Sequence, residues 1–231
     1  LRIAPECGVT TTAWPCATLL AATWNPNVVY QVGAAGGKEV KENNIAAWLT
    51  PALNIHRSPL CGRNFEYYSE DPLLAGVLAG AMVKGIQSQG VAATVKHFAL
   101  NNKETDRKHS DSRVSERAAR EIYLKAFEYV IKGAKPWAVM SSYNIINGCY
   151  ASENKELLED ILRDEWGFDG MVTTDWWTLG EHYKEVKAGN DMKMACGDPK
   201  RLKEAMDQGL LTRQDLEHCA ERVLNLILKL D

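Results

Sequence analysis

The 231-residue chain has no Cys-x-x-Cys pair among its six cysteines, which removes the spacing of a zinc ribbon. Cys7, Cys16, Cys61, Cys149, Cys196 and Cys219 are also too scattered for a disulfide framework in a chain this long. They read as idle thiols of a reducing compartment, with a cytoplasmic location as the expectation. His56, His97, His109, His182 and His218 show neither an HExxH pattern nor paired-ligand spacing, so no metal is expected. No Gly-rich loop follows any apolar run, which leaves a nucleotide cofactor without support. Nor does any apolar run approach the roughly 20 residues of a spanning helix. Charge is nearly balanced, with 27 Lys plus Arg against 30 Asp plus Glu and a net charge of −3. That balance gives no electrostatic reason to expect nucleic acid or an anionic membrane as partner. Ser/Gly linkers, charge blocks and low-complexity stretches are missing too, so residues 1–231 are read as a single domain. The chain opens on Leu-Arg with no Met and no signal-like apolar segment, the expectation being a removed start or a longer chain.

What is present is a chain that is 45% apolar and 25% charged, enough to bury a sizeable core. Helical and apolar segments alternate. Asn25-Pro26 and Asp71-Pro72 each place a capping residue before a proline suited to the first helical position. They predict helices running to about residues 46 and 87. Ser115 is expected to cap a third helix that Gly133 ends, a fourth covers about 153–165, and Thr212 opens the last. In that last helix Leu216, Ala220, Val223, Leu224 and Ile227 keep helical spacing. Between them, residues 46–51, 91–98, 137–143, 170–177 and 191–196 read as buried parallel strands. The pattern predicts an α/β fold of the (β/α)8 barrel type. Such barrels need about 250 residues, so an incomplete one is expected.

Chemistry in parallel α/β folds gathers where strands end. In GMVTTDWW an apolar strand ends in Asp175 beside two tryptophans, a pairing that suits a sugar, since pyranose faces pack on aromatic rings and a carboxylate can attack an anomeric carbon. Capping of the following helix is the alternative role for Asp175. Lys96 and His97 end another strand, with Arg107 in the loop beyond. They could hold hydroxyl groups, or Lys96 could be a buried lysine bonded to a carboxylate. In SPLCGRNFEYYSEDP, Arg63 lies near Glu66, where a purely structural ion pair is the alternative. Met140 and Tyr143 sit in VMSSYNIING, and Met140 alone would be core.

Taken in order, GRNFEYYSEDP, QGVAATVKHFALNNKE, VMSSYNIING and LRDEWGFDGMVTTDWW resemble the consecutive signatures of glycoside hydrolase family 3, specifically its (β/α)8 barrel domain. The resemblance spans roughly residues 57–177, and PCATLLAATWNP and ERVLNLILKL also fit. It implies Asp175 as the nucleophile of a retaining mechanism, with Trp176 beside it. Arg63, Lys96, His97 and Arg107 would bind hydroxyls of the sugar, and Met140 and Tyr143 would complete that wall. Arg2 would close the family's Asp-Gly-Pro-x-Gly-Leu-Arg segment. The run Phe-Ala-Leu-Asn-Asn after His97 lacks the Gly-rich, His-bearing loop of the N-acetylglucosaminidase branch. That points to β-glucosidase, with β-xylosidase or arabinosidase next. The family's early Asp anchor is absent from these residues. So is its companion α/β sandwich domain, which commonly carries the acid/base carboxylate, so that group is expected from outside this chain. The rival readings are a non-catalytic sugar-binding fragment and a Schiff-base barrel using Lys96.

Overall fold

The computed structural model describes residues 10–195 and 197–230. In chain order the elements are α1 (Ala17–Ala21), α2 (Pro26–Glu42), β1 (Ala47–Trp48), α3 (Pro72–Gln87), β2 (Ala92–Phe98) and β3 (Asp111–Ser112). There follow α4 (Glu116–Ala118), a π-helical turn at Ala119–Tyr123, α5 (Lys125–Ala134), β4 (Ala138–Ser141), β5 (Ile145–Ile146) and β6 (Cys149–Tyr150). A π-wound helix Glu156–Glu165, β7 (Met171–Thr174), α6 (His182–Lys187), α7 (Pro199–Asp207) and α8 (Arg213–Leu230) complete the described chain.

The capping signals work as their chemistry requires. Asn25 accepts the N–H groups of Asn27 and Val28 ahead of α2, and Asp71 accepts those of Leu73 and Leu74 ahead of α3. Before α8, Asp215 accepts from the Thr212 N–H and hydroxyl while the Thr212 hydroxyl accepts from the Asp215 N–H, a reciprocal box. Asp198-Pro199 repeats the same signal for α7, with Asp198 accepting from the Arg201 N–H. Sequence reading passed over that one, as it did α1 and α6.

Four strands form a parallel sheet in strict chain order, β1-β2-β4-β7. An isolated parallel bridge from Thr173 to Met192 adds one more contact at its edge. This is the predicted α/β arrangement. Within the expected strand at 191–196 the described residues supply only that bridge, and 46–51 supply two strand residues and a cis Thr50–Pro51 peptide. Helix α2 stops at Glu42, short of the expected 46, because Asn44 turns to φ 56°. Gly133 does not end α5: the left-handed residue there is Lys135, at φ 50°. A second, three-stranded sheet, β3-β5-β6, was not anticipated. Its β5–β6 hairpin turns on Asn147-Gly148, both at positive φ, the dipeptide that favours such turns.

Alternation along the strands separates two faces. Ala93, Val95, Val139 and Val172 enter the main core with α3 and α5, around Leu78, Met82, Phe127 and Val130. Ala92, Ala138 and Met171 face the other way and meet Leu226 of α8. Further along that second face, in register, come Lys96, Met140, Thr173 and then Asp175 just past β7. The second face therefore carries the candidate chemistry toward its strand ends.

Candidate active site

Asp175 follows β7 directly, its N–H donating to Ser141 O at 3.2 Å, and it is 7% exposed. Its Oδ1 accepts the N–H of Trp176 at 2.7 Å. The next helix, α6, begins at His182 with Glu181 before it, so Asp175 caps no helix. Oδ2 lies 3.8 Å from His97 Nε2. Burial, then the charge of Asp175, push the Tyr143 phenol up from its ordinary value.

His97 sits at the irregular end of β2, where register shifts between Val95 and Phe98 and where the Lys96–His97 and Phe98–Ala99 peptides are cis. Its backbone is clamped by Asn54, which donates Nδ2 to His97 O and accepts the His97 N–H, both at 2.9 Å. The ring is 1% exposed. Burial first, then Lys96, Arg63 and Arg107, hold its pKa well below the usual imidazole value. A neutral ring needs one protonated nitrogen. The Tyr67 hydroxyl lies 3.4 Å from Nδ1; with that nitrogen as acceptor, Nε2–H faces Asp175.

Lys96 lies 3.9 Å from Glu66 Oε2, and Arg63 Nε donates to Oε1 of the same carboxylate. The structural Arg63–Glu66 pair and the carboxylate-bonded lysine are thus both present, side by side. Burial lowers the Lys96 pKa, opposed by Glu66 and Asp175 and reinforced by Arg63. Arg107 pairs with Glu104 at 2.8 Å and places its guanidinium 4.6 Å from the centre of the Tyr143 ring. Lys108 approaches the same ring at 5.1 Å.

Of the residues singled out in the sequence, Asp175 and His97 face each other, Tyr143 feels the Asp175 charge, and Lys96, Arg63 and Arg107 bring positive charge to His97. Met140 is buried on the same sheet face. Trp176 is half-buried against Asp175 through its N–H. Arg2 lies outside the described residues. Missed were Glu66 as the shared partner of two cations, Tyr67 and Asn54 as supports of His97, and Lys108. A cleft of about 630 Å³ opens nearby, lined by Arg57, Leu60, Leu100, Asn101, Glu104 and Tyr123 among others, but Asp175 is not in its lining. Among the described residues no three His, Cys, Asp or Glu side chains are placed to share a metal ion, and no helix is long and apolar enough to cross a membrane.

The model of the glycosyl hydrolase family 3 N terminal domain matches residues 6–226. Beta-glucosidase A from Butyrivibrio fibrisolvens is 66% identical over 217 residues, which is 94% of this chain and 26% of that protein. An exo-alpha-(1->6)-L-arabinopyranosidase from Bifidobacterium longum is 45% identical over 222 residues, 96% of this chain and 29% of that protein. Among solved structures, beta-glucosidase 3B from Thermotoga neapolitana in complex with alpha-D-glucose superimposes with a TM-score of 0.92 at 47% identity, over 94% of this chain and 32% of that one. The chain thus spans between a quarter and a third of the length of these relatives.

Proposed function

The chain belongs to glycosyl hydrolase family 3, and from that premise we propose that it carries the sugar pocket and nucleophile of a retaining, exo-acting β-glucosidase. The observation that carries the reading is Asp175 itself: a buried carboxylate at a strand end, its charge felt by the Tyr143 phenol, faced by a neutral imidazole. The strictly sequential parallel sheet supports a segment of a (β/α)8 barrel, since an open doubly wound sheet reverses its strand order at a switch point. Strand ends of one sheet face then converge on one pocket.

In this reading a carboxylate oxygen of Asp175 attacks the anomeric carbon as the glycosidic C–O bond breaks. The leaving oxygen takes a proton from an acid outside these residues, on a companion domain in cis or trans. Water then attacks the same carbon, the glycosyl ester breaks, and the outside group takes the water's proton. Tyr143 and the Nε2–H side of His97 orient the carboxylate. Lys96, Arg63 and Arg107 hold ring hydroxyls, strengthening those bonds as charge develops. Glucose as the sugar rests on the beta-glucosidase names among the relatives. The arabinopyranosidases, at 43–45% identity, keep a pentose as the second choice.

The test is intact mass and peptide mapping after incubation with a 2-fluoro β-glucoside bearing a dinitrophenolate leaving group, which needs little protonation. The expected outcome is a glycosyl adduct on Asp175, none in Asp175→Asn, and turnover abolished in that variant. Near wild-type hydrolysis by Asp175→Asn would sink the assignment. Borohydride trapping at Lys96 with a carbonyl substrate would replace it with the lysine mechanism.

A further inference from the structure

Beneath the loop that follows Asp175 lies an ion pair that the proposed chemistry does not use. Glu185, on α6, and Lys193 have side chains only 1% and 7% exposed, with Lys193 Nζ 2.5 Å from Glu185 Oε2. Taking both charges out of water is costly, and a well-packed apolar pair would often stabilise a fold as well or better. The contacts show what the pair holds. The Thr178 hydroxyl donates to Glu185 Oε1 at 2.7 Å and accepts from Lys193 Nζ at 3.2 Å. Lys193 also donates to Gly180 O at 3.0 Å. A Cβ at Gly180 would collide with the Glu185 carboxylate and with Ser152 Oγ, so the loop is drawn tightly onto the pair.

The segment pinned in this way is Asp175–Gly180. At its upstream end Asp175 N–H bonds Ser141 O. In the middle, Trp177 takes φ 54°, an uncommon conformation for a bulky residue that surrounding structure must enforce. Its carbonyl accepts from Lys108 Nζ at 2.9 Å, the same lysine that approaches the Tyr143 ring. The result is an indole 58% exposed, two residues from Asp175, on a loop held at Asp175, Trp177, Thr178 and Gly180. A leaving group extends from the anomeric carbon toward solvent, and an exposed indole on a held backbone at the rim offers it a flat apolar face.

We propose that the buried Glu185–Lys193 pair, acting through the Thr178 hydroxyl, is a positioning device that sets Trp177 as the rim contact for the substrate's leaving group. This rests on the assignment of Asp175 as nucleophile. The pair touches no sugar; it acts through the loop.

The experiment compares two substrates with the same glycone in the intact enzyme: β-glucosyl fluoride, whose leaving group is a single atom, and a β-linked glucose disaccharide. Thr178→Val, which keeps shape and removes the hydroxyl, is expected to lower the disaccharide-to-fluoride ratio of kcat/KM by about tenfold to a hundredfold, the scale of a misplaced contact. Thr178→Ser, which keeps the hydroxyl, restores it. Glu185→Leu combined with Lys193→Met removes both charges together, leaves none uncompensated, and is expected to fold with the same lowered ratio. An unchanged ratio in folded Thr178→Val, or in the folded double variant, overturns the proposal, as does equal loss on both substrates. Wild-type enzyme that turns over neither substrate overturns the glucosidase reading instead, and this inference with it.

Discussion

His97 shows how far a single residue can be read from its neighbours. Its place at a strand end marked it as a candidate in the sequence. Its protonation state follows from burial and from three cations, of which only Lys96 is adjacent in the chain. The sign of the resulting pH dependence can be worked out. Unfolded, His97 takes up a proton as pH falls through about 6.5. Folded, it resists until well below that. In the interval the unfolded chain binds more protons, so stability is lost as pH falls, by up to about 1.4 kcal/mol per pH unit. His97→Gln should therefore unfold with a shallower acid slope than wild type between about pH 6.5 and 5, whatever its stability at neutral pH. Denaturant unfolding at a series of pH values reads this directly, and parallel slopes would contradict a buried neutral ring. The rest of the site was legible only where chemistry-bearing residues coincide with strand ends. Tyr67 meets His97 across 30 residues and Lys108 meets Trp177 across 69. No local pattern encodes such pairs; they are products of the assembled loops.

At the scale of elements, caps and apolar runs carried most of the reading, and the errors have physical causes. Helix α8 keeps two apolar stripes. The buried one runs through Cys219 and Leu226 with Leu216, Val223 and Leu230 partly covered, while Ala220, Leu224 and Ile227 of the expected face are exposed. Spacing alone cannot choose between two stripes on one helix. Glycines posed the same difficulty. In α2 and α3 they make close packing possible: a Cβ on Gly85 would run into Tyr30 O and lie 2.8 Å from Ala34 N, and one on Gly33 would lie 2.7 Å from Met82 O. Gly133, inside α5, has nothing within 4 Å of its missing Cβ. Gly85→Ala is accordingly expected to destabilise by about 1–3 kcal/mol through overpacking. Gly133→Ala should stabilise by up to about 1 kcal/mol through helix propensity. Thermal unfolding of the two variants tests the pair, and a destabilising Gly133→Ala would mean that this glycine serves something other than helix geometry.

Across the whole molecule, the sequential sheet must be joined to the helix that ends the described chain, and one carboxylate makes that joint. The Asp191 side chain is fully buried. Its Oδ2 accepts from Arg163 Nη2 at 2.9 Å and from the Val172 N–H of β7 at 2.7 Å, while Oδ1 lies 3.2 Å from Arg222 Nη1 of α8. Burial pushes the carboxyl up from its usual value, opposed by Arg163, the Val172 N–H and Arg222. Arg222 also reaches Glu159 at 3.0 Å, so the π-wound helix, β7 and α8 share one charge network. Removing the centre and removing the rim should therefore differ sharply. Asp191→Asn keeps the shape but leaves the buried Arg163 and Arg222 to share Glu159, 3.6 Å and 3.0 Å away, a loss expected toward the lower end of about 3–5 kcal/mol. Arg222→Met removes a partly exposed partner while Arg163 still neutralises Asp191, and about 1 kcal/mol or less is expected. Denaturant midpoints in the intact enzyme would give the order. Equal losses would show that α8 is held by its apolar stripe and the ion pairs alike, with no privileged centre. A large loss confined to Asp191→Asn would place the joint between sheet and terminal helix at that carboxylate, one residue past the loop pair Gly189-Asn190 and on the strand-side of the same segment that supplies Lys193 to the loop after Asp175.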